Sequence, residues 1–305
     1  MIRVANAPCS WGVLEFEAPA ARAPAAQVLD EMAAAGYAGT ELGDWGFLPT
    51  EPAALAADLQ RRGLSLVGAF VPIALARADA LDEGVGRAVR TARLLAEVRA
   101  EKGPYTFSAV IVLSDDNTSV PNRTERAGRI REEDGLTGAE WDALAARAEQ
   151  VATAVRAAAG LRTVFHHHCA GYVETPPEID ALMSRTSPDL LGLCLDTGHL
   201  VYGGGNPVDA IARYRDRIWH VHFKDCDEAL VRQARAEGWD YHTAVRRGIF
   251  CELGNGMVSF GNVLDALRVE HYASWIVVEQ DVLPGLGTPA ESARRNREYL
   301  RRLGV

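Results

Sequence analysis

The sequence predicts an α/β fold with one domain, a (β/α)8 TIM barrel, from three observations. Eight short apolar runs alternate with helical segments along the 305 residues. Strands that are joined in this way by helices run parallel, and eight such units fit a chain of this length. No GxGxxG or GxxxxGK(S/T) motif follows the first apolar run, which disfavours a doubly wound nucleotide-binding sheet. We therefore expect residues 1–305 to form a single catalytic barrel.

The first four strands and three helices are predicted from apolar runs and helix-end signals. The strands are expected at 3–7, 39–42, 65–71 and 107–113, and the helices at 25–35, 52–62 and 81–100. Gly36 and Gly63 directly follow two of these helices, which is typical of a helix C-terminus. Pro52 begins the second helix, where an N–H group would have no helical partner.

The second half continues the alternation. The remaining strands are expected at 161–165, 190–195, 218–223 and 275–278, and the helices at 137–160, 176–184, 207–214, 259–269 and 289–303. Thr137 and Glu140 have the S/T-x-x-E form of a capping box, and Gly160 ends the same helix. Apolar residues recur at helical spacing between Trp141 and Val155.

Composition excludes several classes of function. The net charge of −9 gives no basic face for nucleic acid, and no apolar run of 18 residues could span a membrane. The N-terminus lacks the pattern of a secretory signal peptide. Five dispersed cysteines without a CxxC pair argue against a disulfide framework and favour the cytoplasm. The sequence leaves a homo-oligomer open.

Two polar segments interrupt the alternation, residues 114–135 and 226–256. Residues 114–135 are too charged to lie in the core. Each is either an ordinary solvated loop or a segment that closes over a substrate.

Ionisable side chains follow the predicted strands, where active sites of this fold lie. They are Glu41 after strand two, His166, His168 and Glu174 after strand five, Asp196 and His199 after strand six, His220, His222 and Lys224 in and after strand seven, and Glu279 after strand eight. Alone, each has a simple structural alternative, such as helix capping by Asp196. Together they are the mixed nitrogen and oxygen donors that a divalent cation requires. His167 is expected to point away from this rim, because adjacent strand residues face opposite sides.

Three motifs carry a resemblance to a known family. CLDTGHLVYGGGNP at 194–207, WHVHFKD at 219–225 and VVEQD at 277–281 are similar to the xylose-isomerase-like TIM-barrel superfamily, and within it to the inosose (2-keto-myo-inositol) dehydratase group. The resemblance implies one divalent metal ion held by Asp196, His222, Glu279 and a fourth ligand. Relatives have a Glu at the end of strand five, where this chain has histidine. Glu174 reaching back is the favoured fourth ligand, and a histidine of 166–168 is the alternative. We expect Mn²⁺ or Co²⁺, with Mg²⁺ and Zn²⁺ as further candidates.

The resemblance also implies a reaction. A small polyhydroxy ketone, a keto-cyclitol or keto-sugar, would lose water through a metal-stabilised enediolate. His168 is the expected base or acid, with His166, Glu174 and Glu279 as further catalytic groups. The expected substrate contacts are Glu41, Trp11, His199 and Lys224. Trp11 could equally be a packing residue.

Other functions remain open at the level of sequence. A ketose isomerase or epimerase could use the same metal site, and a non-catalytic barrel could bind a sugar. A DNA-repair endonuclease is disfavoured by the acidic balance and by the absence of histidine before His166. The opening strand resembles that of the dehydratase group only loosely, so the substrate is not fixed.

Overall fold

Eight parallel strands close into a barrel in the computed structural model, which describes residues 2–13, 23–100, 108–117, 119–281 and 286–305. The barrel strands are β1 Arg3–Asn6, β2 Gly39–Glu41, β3 Ser65–Ile73, β4 Val110–Asp115, β5 Arg162–His166, β6 Leu191–Asp196, β7 Ile218–Phe223 and β10 Trp275–Val278. Their order around the barrel is β1-β10-β7-β6-β5-β4-β3-β2, so each strand lies beside its neighbours in the sequence. The predicted TIM barrel is confirmed.

Helices surround the barrel, and each long one follows a strand. They are α1 Ala25–Ala35, α2 Pro52–Arg62, α3 Leu81–Ala100, α4 Pro121–Glu125, α5 Gly138–Ala159, α6 Pro176–Arg185, α7 Thr197–Tyr202, α8 Pro207–Tyr214, α9 Glu228–Glu237, α10 Tyr241–Arg246, α11 Phe260–Val269 and α12 Pro289–Arg302. The predicted capping box of Thr137 and Glu140 is confirmed at the start of α5. No helix in the described ranges is long and apolar enough to cross a membrane. The expected start of strand four at Phe107 lies outside the described residues.

Alternation along the strands decides which side chains face the barrel interior. A small cluster, separate from the core beneath the helices, consists of Val110, Val112, Val164 and Cys194. Because every second strand residue faces the same side, His166 continues the interior row of Val164, and Asp196 that of Cys194. The strand register pairs Asp196 with His222, which therefore also faces inward. The carboxyl end of the barrel interior thus receives ionisable side chains above an apolar base.

The polar segment 114–135 is anchored rather than solvated along its length. It contains the last residues of β4, the helix α4 and a 3-10 helix at Glu132–Asp134. Arg123 of α4 is fully buried. Its guanidinium donates to both carboxylate oxygens of Glu178 at 2.7 and 2.9 Å, and its Nε donates to the carbonyl of Gly171 at 2.9 Å. This bidentate pair fastens the segment to the start of α6.

The segment 226–256 is also structured. It contains α9, α10 and the second strand of a two-residue antiparallel pair, β8 Asp225–Cys226 with β9 Phe250–Cys251. The Asp225 carboxylate accepts hydrogen bonds from the backbone N–H groups of Gly254, Gly256 and Val258 at 2.9 to 3.0 Å. Of the two alternatives left open by the sequence, an ordinary solvated loop does not describe either segment, because both contain helices.

Candidate metal and substrate site

Four side chains converge at the carboxyl end of the barrel: His166, Asp196, His222 and Glu279. One ligand atom from each lies within 4.8 Å of all the others. His166 and Asp196 end β5 and β6, His222 is the penultimate residue of β7, and Glu279 directly follows β10. Parallel strands bring their carboxyl ends to one rim, and the period of two turns all four side chains inward.

The separations within this cluster match those between ligands of one ion. Nε2 of His166 is 3.5 Å from Oδ2 of Asp196, and Nδ1 of His222 is 3.3 Å from Oε1 of Glu279. With ligand bonds of about 2.1 Å, adjacent ligands of a tetrahedral or octahedral ion lie about 3 to 3.5 Å apart.

Three of these four atoms have no hydrogen-bond partner among the described residues. Both ring nitrogens of His166, Oδ2 of Asp196 and Nδ1 of His222 are buried and unpaired. Leaving such groups unpaired costs about 1 to 3 kcal/mol each, so their convergence calls for a ligand. Two imidazoles and two carboxylates suit a divalent cation, and the residues present therefore fit the expected metal ion.

Glu41 and His220 lie behind the cluster and orient His222. Oε1 of Glu41 is 3.0 Å from Nε2 of His222 and 2.8 Å from Nε2 of His220. Burial opposes ionisation of Glu41, but the two histidines lower its pKa to about 2. An ionised carboxylate only accepts, so Nε2 of His222 carries the proton and Nδ1 presents its lone pair to the cluster. Sequence reasoning expected Glu41 to contact substrate, and it does line the cavity described below.

The two oxygens of Asp196 have different tasks. Oδ1 accepts the backbone N–H of His199 at 2.7 Å and caps α7, whereas Oδ2 faces the cluster. Burial raises the pKa of Asp196, but the nearby His166 ring and the charge of Lys224 hold that pKa below its usual value. Asp196 therefore both caps α7 and belongs to the cluster, although the sequence had presented these two roles as alternatives.

Glu174 does not join the cluster, contrary to the sequence-based preference. The backbone between His168 and Glu174 contains Ala170 in the left-handed region, with a φ of 72°. Its carboxylate accepts backbone N–H groups from Gly128 at 2.6 Å and Ala170 at 2.8 Å. Burial raises its pKa to about 7. These bonds hold Glu174 in a structural position, and His166 occupies the place expected for it.

The three adjacent histidines have three different environments. His166 belongs to the cluster, and His167 points outward, where its Nε2 accepts the backbone N–H of Asp196 at 3.1 Å. Nδ1 of His168 lies 2.6 Å from the carbonyl of Cys169, so it carries a proton and donates. Burial, with the charges of His166 and Lys224, lowers the pKa of His168 to about 3. His168 is therefore neutral, and its Nε2 is free to accept a proton.

Lys224 supplies a positive charge beside the cluster. Its Nζ is 3.2 Å from Oε2 of Glu279 and 3.4 Å from both carboxylate oxygens of Asp281. Burial lowers the pKa of Lys224, but Asp281, Glu279 and Asp196 outweigh it and hold the pKa well above its usual value. Gly198 makes room for this side chain, since a Cβ there would lie 2.6 Å from Cγ of Lys224.

One cavity opens onto these groups, with an empty volume of about 720 Å³ that includes its mouth. The sequence-predicted residues that line it are Glu41, His166, His168, Lys224 and Glu279. Cys9, Phe70, Asn117, Tyr241 and Asp281 also line it and were not singled out from the sequence. Only Asp281, in the VVEQD motif, had a signal that could have found it.

Two expected substrate contacts lie elsewhere. Trp11 is buried, and its Nε1 donates to Oε2 of Glu31 at 2.6 Å, so it packs against α1 instead of forming a cavity wall. His199 stacks behind His168 with ring centroids 3.9 Å apart, and its Nδ1 accepts the N–H of Cys169 at 3.3 Å. Neither residue is among those that line the cavity in the described part of the chain.

Comparisons with known proteins agree with this fold. The family model described as xylose isomerase-like TIM barrel matches residues 29–303. An inosose dehydratase of Geobacillus kaustophilus is 33% identical over 301 residues, which cover 99% of this chain and 94% of the relative. An inosose dehydratase of Lacticaseibacillus casei is 30% identical, covering 98% and 96%. The solved structure described as the probable 3-DHS dehydratase AsbF of Bacillus anthracis covers 99% of both chains with a TM-score of 0.68. Its 13% identity makes it evidence for the fold alone.

Proposed function

The chain belongs to the xylose isomerase-like TIM barrel family, and from that premise we propose that it is a metal-dependent dehydratase of a keto-cyclitol or keto-sugar similar to 2-keto-myo-inositol. It is an enzyme of the lyase kind found among its relatives, two of which are named inosose dehydratase.

One observation supports the proposal: two members of the four-residue cluster, His166 and Glu279, line the same cavity as the neutral His168 and the charged Lys224. His166, Asp196, His222 and Glu279 would hold the ion. Bound there, a divalent cation supplies positive charge beside a substrate carbonyl, which makes the neighbouring C–H bond more acidic. The two imidazoles favour Co²⁺, Mn²⁺ or Zn²⁺ over Mg²⁺.

The residues of the chain carry the proton transfers. Nε2 of His168 takes the proton from the carbon next to the carbonyl. The C–O bond at the following carbon breaks as a C=C bond forms, and the ammonium of Lys224 stabilises the departing hydroxide. His168 returns its proton to that hydroxide, so the sum is loss of one water. The enol that remains converts to a dione.

The test is incubation of metal-loaded protein with 2-keto-myo-inositol, followed by ultraviolet absorbance of the conjugated product. We expect absorbance to rise with wild type and with the exposed control Asp189→Ala, and to stay flat with Asp196→Ala. Exchange of solvent deuterium into the ketone without loss of water would replace the proposal with isomerisation or epimerisation. Binding with neither reaction would identify a sugar-binding barrel.

We also propose a reducing compartment such as the cytoplasm. All five cysteines are free thiols, and three of them are buried. Unchanged activity of a Cys251→Ser variant under oxidising conditions would agree with a thiol that has no disulfide role, and a loss of activity would contradict it.

A further inference from the structure

Asn117 places an unpaired polar atom in the wall of the cavity. It follows the end of β4, is only 6% exposed, and its Oδ1 has no hydrogen-bond partner among the described residues. Its backbone carbonyl accepts the hydroxyl of Thr124 at 3.2 Å, which fixes its position. The amide is therefore held with one buried polar atom unsatisfied, although such atoms are nearly always paired.

Tyr241 presents a hydroxyl on the other side of His168. It begins α10, is 2% exposed and lines the same cavity. Its hydroxyl is 3.4 Å from Nε2 of His168, while Nδ2 of Asn117 is 3.4 Å from Nδ1 of the same ring. The contact with Tyr241 is long. Nδ1 of His168 already donates its proton to the Cys169 carbonyl, so it does not accept from Nδ2 of Asn117. The phenol and the amide are therefore both available to a ligand. Asp240 caps α10 by accepting the N–H of Thr243 at 2.6 Å, which fixes the helix that carries Tyr241.

The charges around the cavity select against anionic substrates. Apart from histidines, Lys224 is the only basic residue that lines the cavity in the described part of the chain. It is already paired with Glu279 and Asp281. The single ammonium of Lys224 is shared with two carboxylates and no guanidinium lines the described part of the cavity, so the charge that a phosphate dianion requires is not provided.

We propose that Asn117 and Tyr241 form a hydroxyl-binding subsite that selects an unphosphorylated polyol ketone, an inference that rests on the proposed function. The amide and the phenol each bind a hydroxyl of the substrate that is not the one lost. Their positions on either side of His168 align the ring so that one C–H bond faces Nε2. Both residues are specificity determinants that act without contacting the metal cluster.

Two variants test the subsite, each with a matched control. Asn117→Leu removes the amide at similar volume, and Asn262→Leu makes the same exchange on the exposed face of α11. Tyr241→Phe removes only the hydroxyl, and Tyr299→Phe does so on α12. We expect Asn117→Leu and Tyr241→Phe each to raise KM about tenfold, because each variant loses one hydrogen bond to the substrate. The affinity for Co²⁺ should not change in either variant. Both control variants should have the KM of wild type.

A panel of substrate analogues, each lacking one hydroxyl, separates recognition from general damage. For one analogue, Asn117→Leu should raise KM by no more than about twofold, because that analogue already lacks the hydroxyl that Asn117 binds. Three results would each overturn the subsite. In the first, Asn117→Leu raises KM equally for every analogue, and in the second, neither variant changes KM. In the third, wild type turns over a phosphorylated ketose efficiently.

Equilibrium binding of 2-keto-myo-inositol, measured by calorimetry on the metal-loaded protein, keeps the two proposals distinguishable. Binding that is weakened in both variants, without any dehydration by wild type, would support the subsite and refute the dehydratase. Dehydration by wild type, with binding in both variants as tight as in wild type, would support the dehydratase and refute the subsite. Absence of binding to wild type would refute both.

Discussion

Replacing Glu41 by Gln tests whether the carboxylate behind His222 strengthens the metal site. Glu41 accepts N–H groups from His222 and His220 through one oxygen, Oε1. Gln keeps an acceptor oxygen of the same size but loses the charge. A hydrogen bond to a charged group contributes about 1.5 to 3 kcal/mol, and a neutral one about 0.5 to 1.5.

The bond to His222 should therefore weaken by about 1 to 1.5 kcal/mol, which is about tenfold in metal affinity. Glu41→Leu leaves two buried imidazole N–H groups unpaired, and we expect about a hundredfold loss together with lower stability. The assay is calorimetric titration with Co²⁺, with urea unfolding alongside and the exposed Glu298→Gln as control. Unchanged Co²⁺ affinity in Glu41→Gln and Glu41→Leu would refute this reasoning.

Three further predictions concern neighbouring features. His167→Leu leaves the backbone N–H of Asp196 unpaired, so urea unfolding should show a loss of about 1 to 3 kcal/mol, and an unaltered free energy of unfolding would contradict this. The pKa of Glu174 is raised to about 7 in the folded chain, so the folded state holds its proton more tightly than the unfolded one. Its contribution to stability is therefore present at low pH and is lost as the pH rises from about 4.5 to about 7. In Glu174→Gln, the free energy of unfolding in urea should change less with pH over this range than it does in wild type. The same pH dependence in both proteins would contradict the prediction. Gly198→Ala puts a Cβ against Lys224, and kcat/KM should fall about a hundredfold at normal Co²⁺ affinity; full activity would mean that Lys224 is not needed where it lies.

The fold was predictable because its signals are local. Helix ends carry glycine, proline or a capping box, as at Gly36, Pro52 and Thr137, and buried parallel strands are short apolar runs. The barrel rule then placed the ionisable residues after the strands at one rim. Asp196 and His222 were expected there as ligands, and the structure brings them together, although their binding of a metal stays a prediction.

The remainder of the site depends on contacts that are distant in the sequence. The Glu174 carboxylate is held away from the cluster by the backbone N–H of Gly128, which lies 46 residues earlier. A backbone donor of this kind leaves no recognisable residue pattern in the sequence. Asn117 and Tyr241 come from the two polar segments, and they meet at His168 only because Arg123 and Asp225 anchor those segments. Single-sequence patterns report periodicity and capping, but they do not report such long-range packing.

The most direct test of the four-residue metal site is Co²⁺ titration of wild type, His166→Ala and Glu174→Gln, with visible absorption of the bound ion as the readout. If His166 is the fourth ligand with Asp196, His222 and Glu279, His166→Ala should weaken Co²⁺ binding at least a hundredfold and alter the spectrum. Glu174→Gln should leave both unchanged. A changed spectrum in Glu174→Gln, with normal binding and spectrum in His166→Ala, would contradict the site described here.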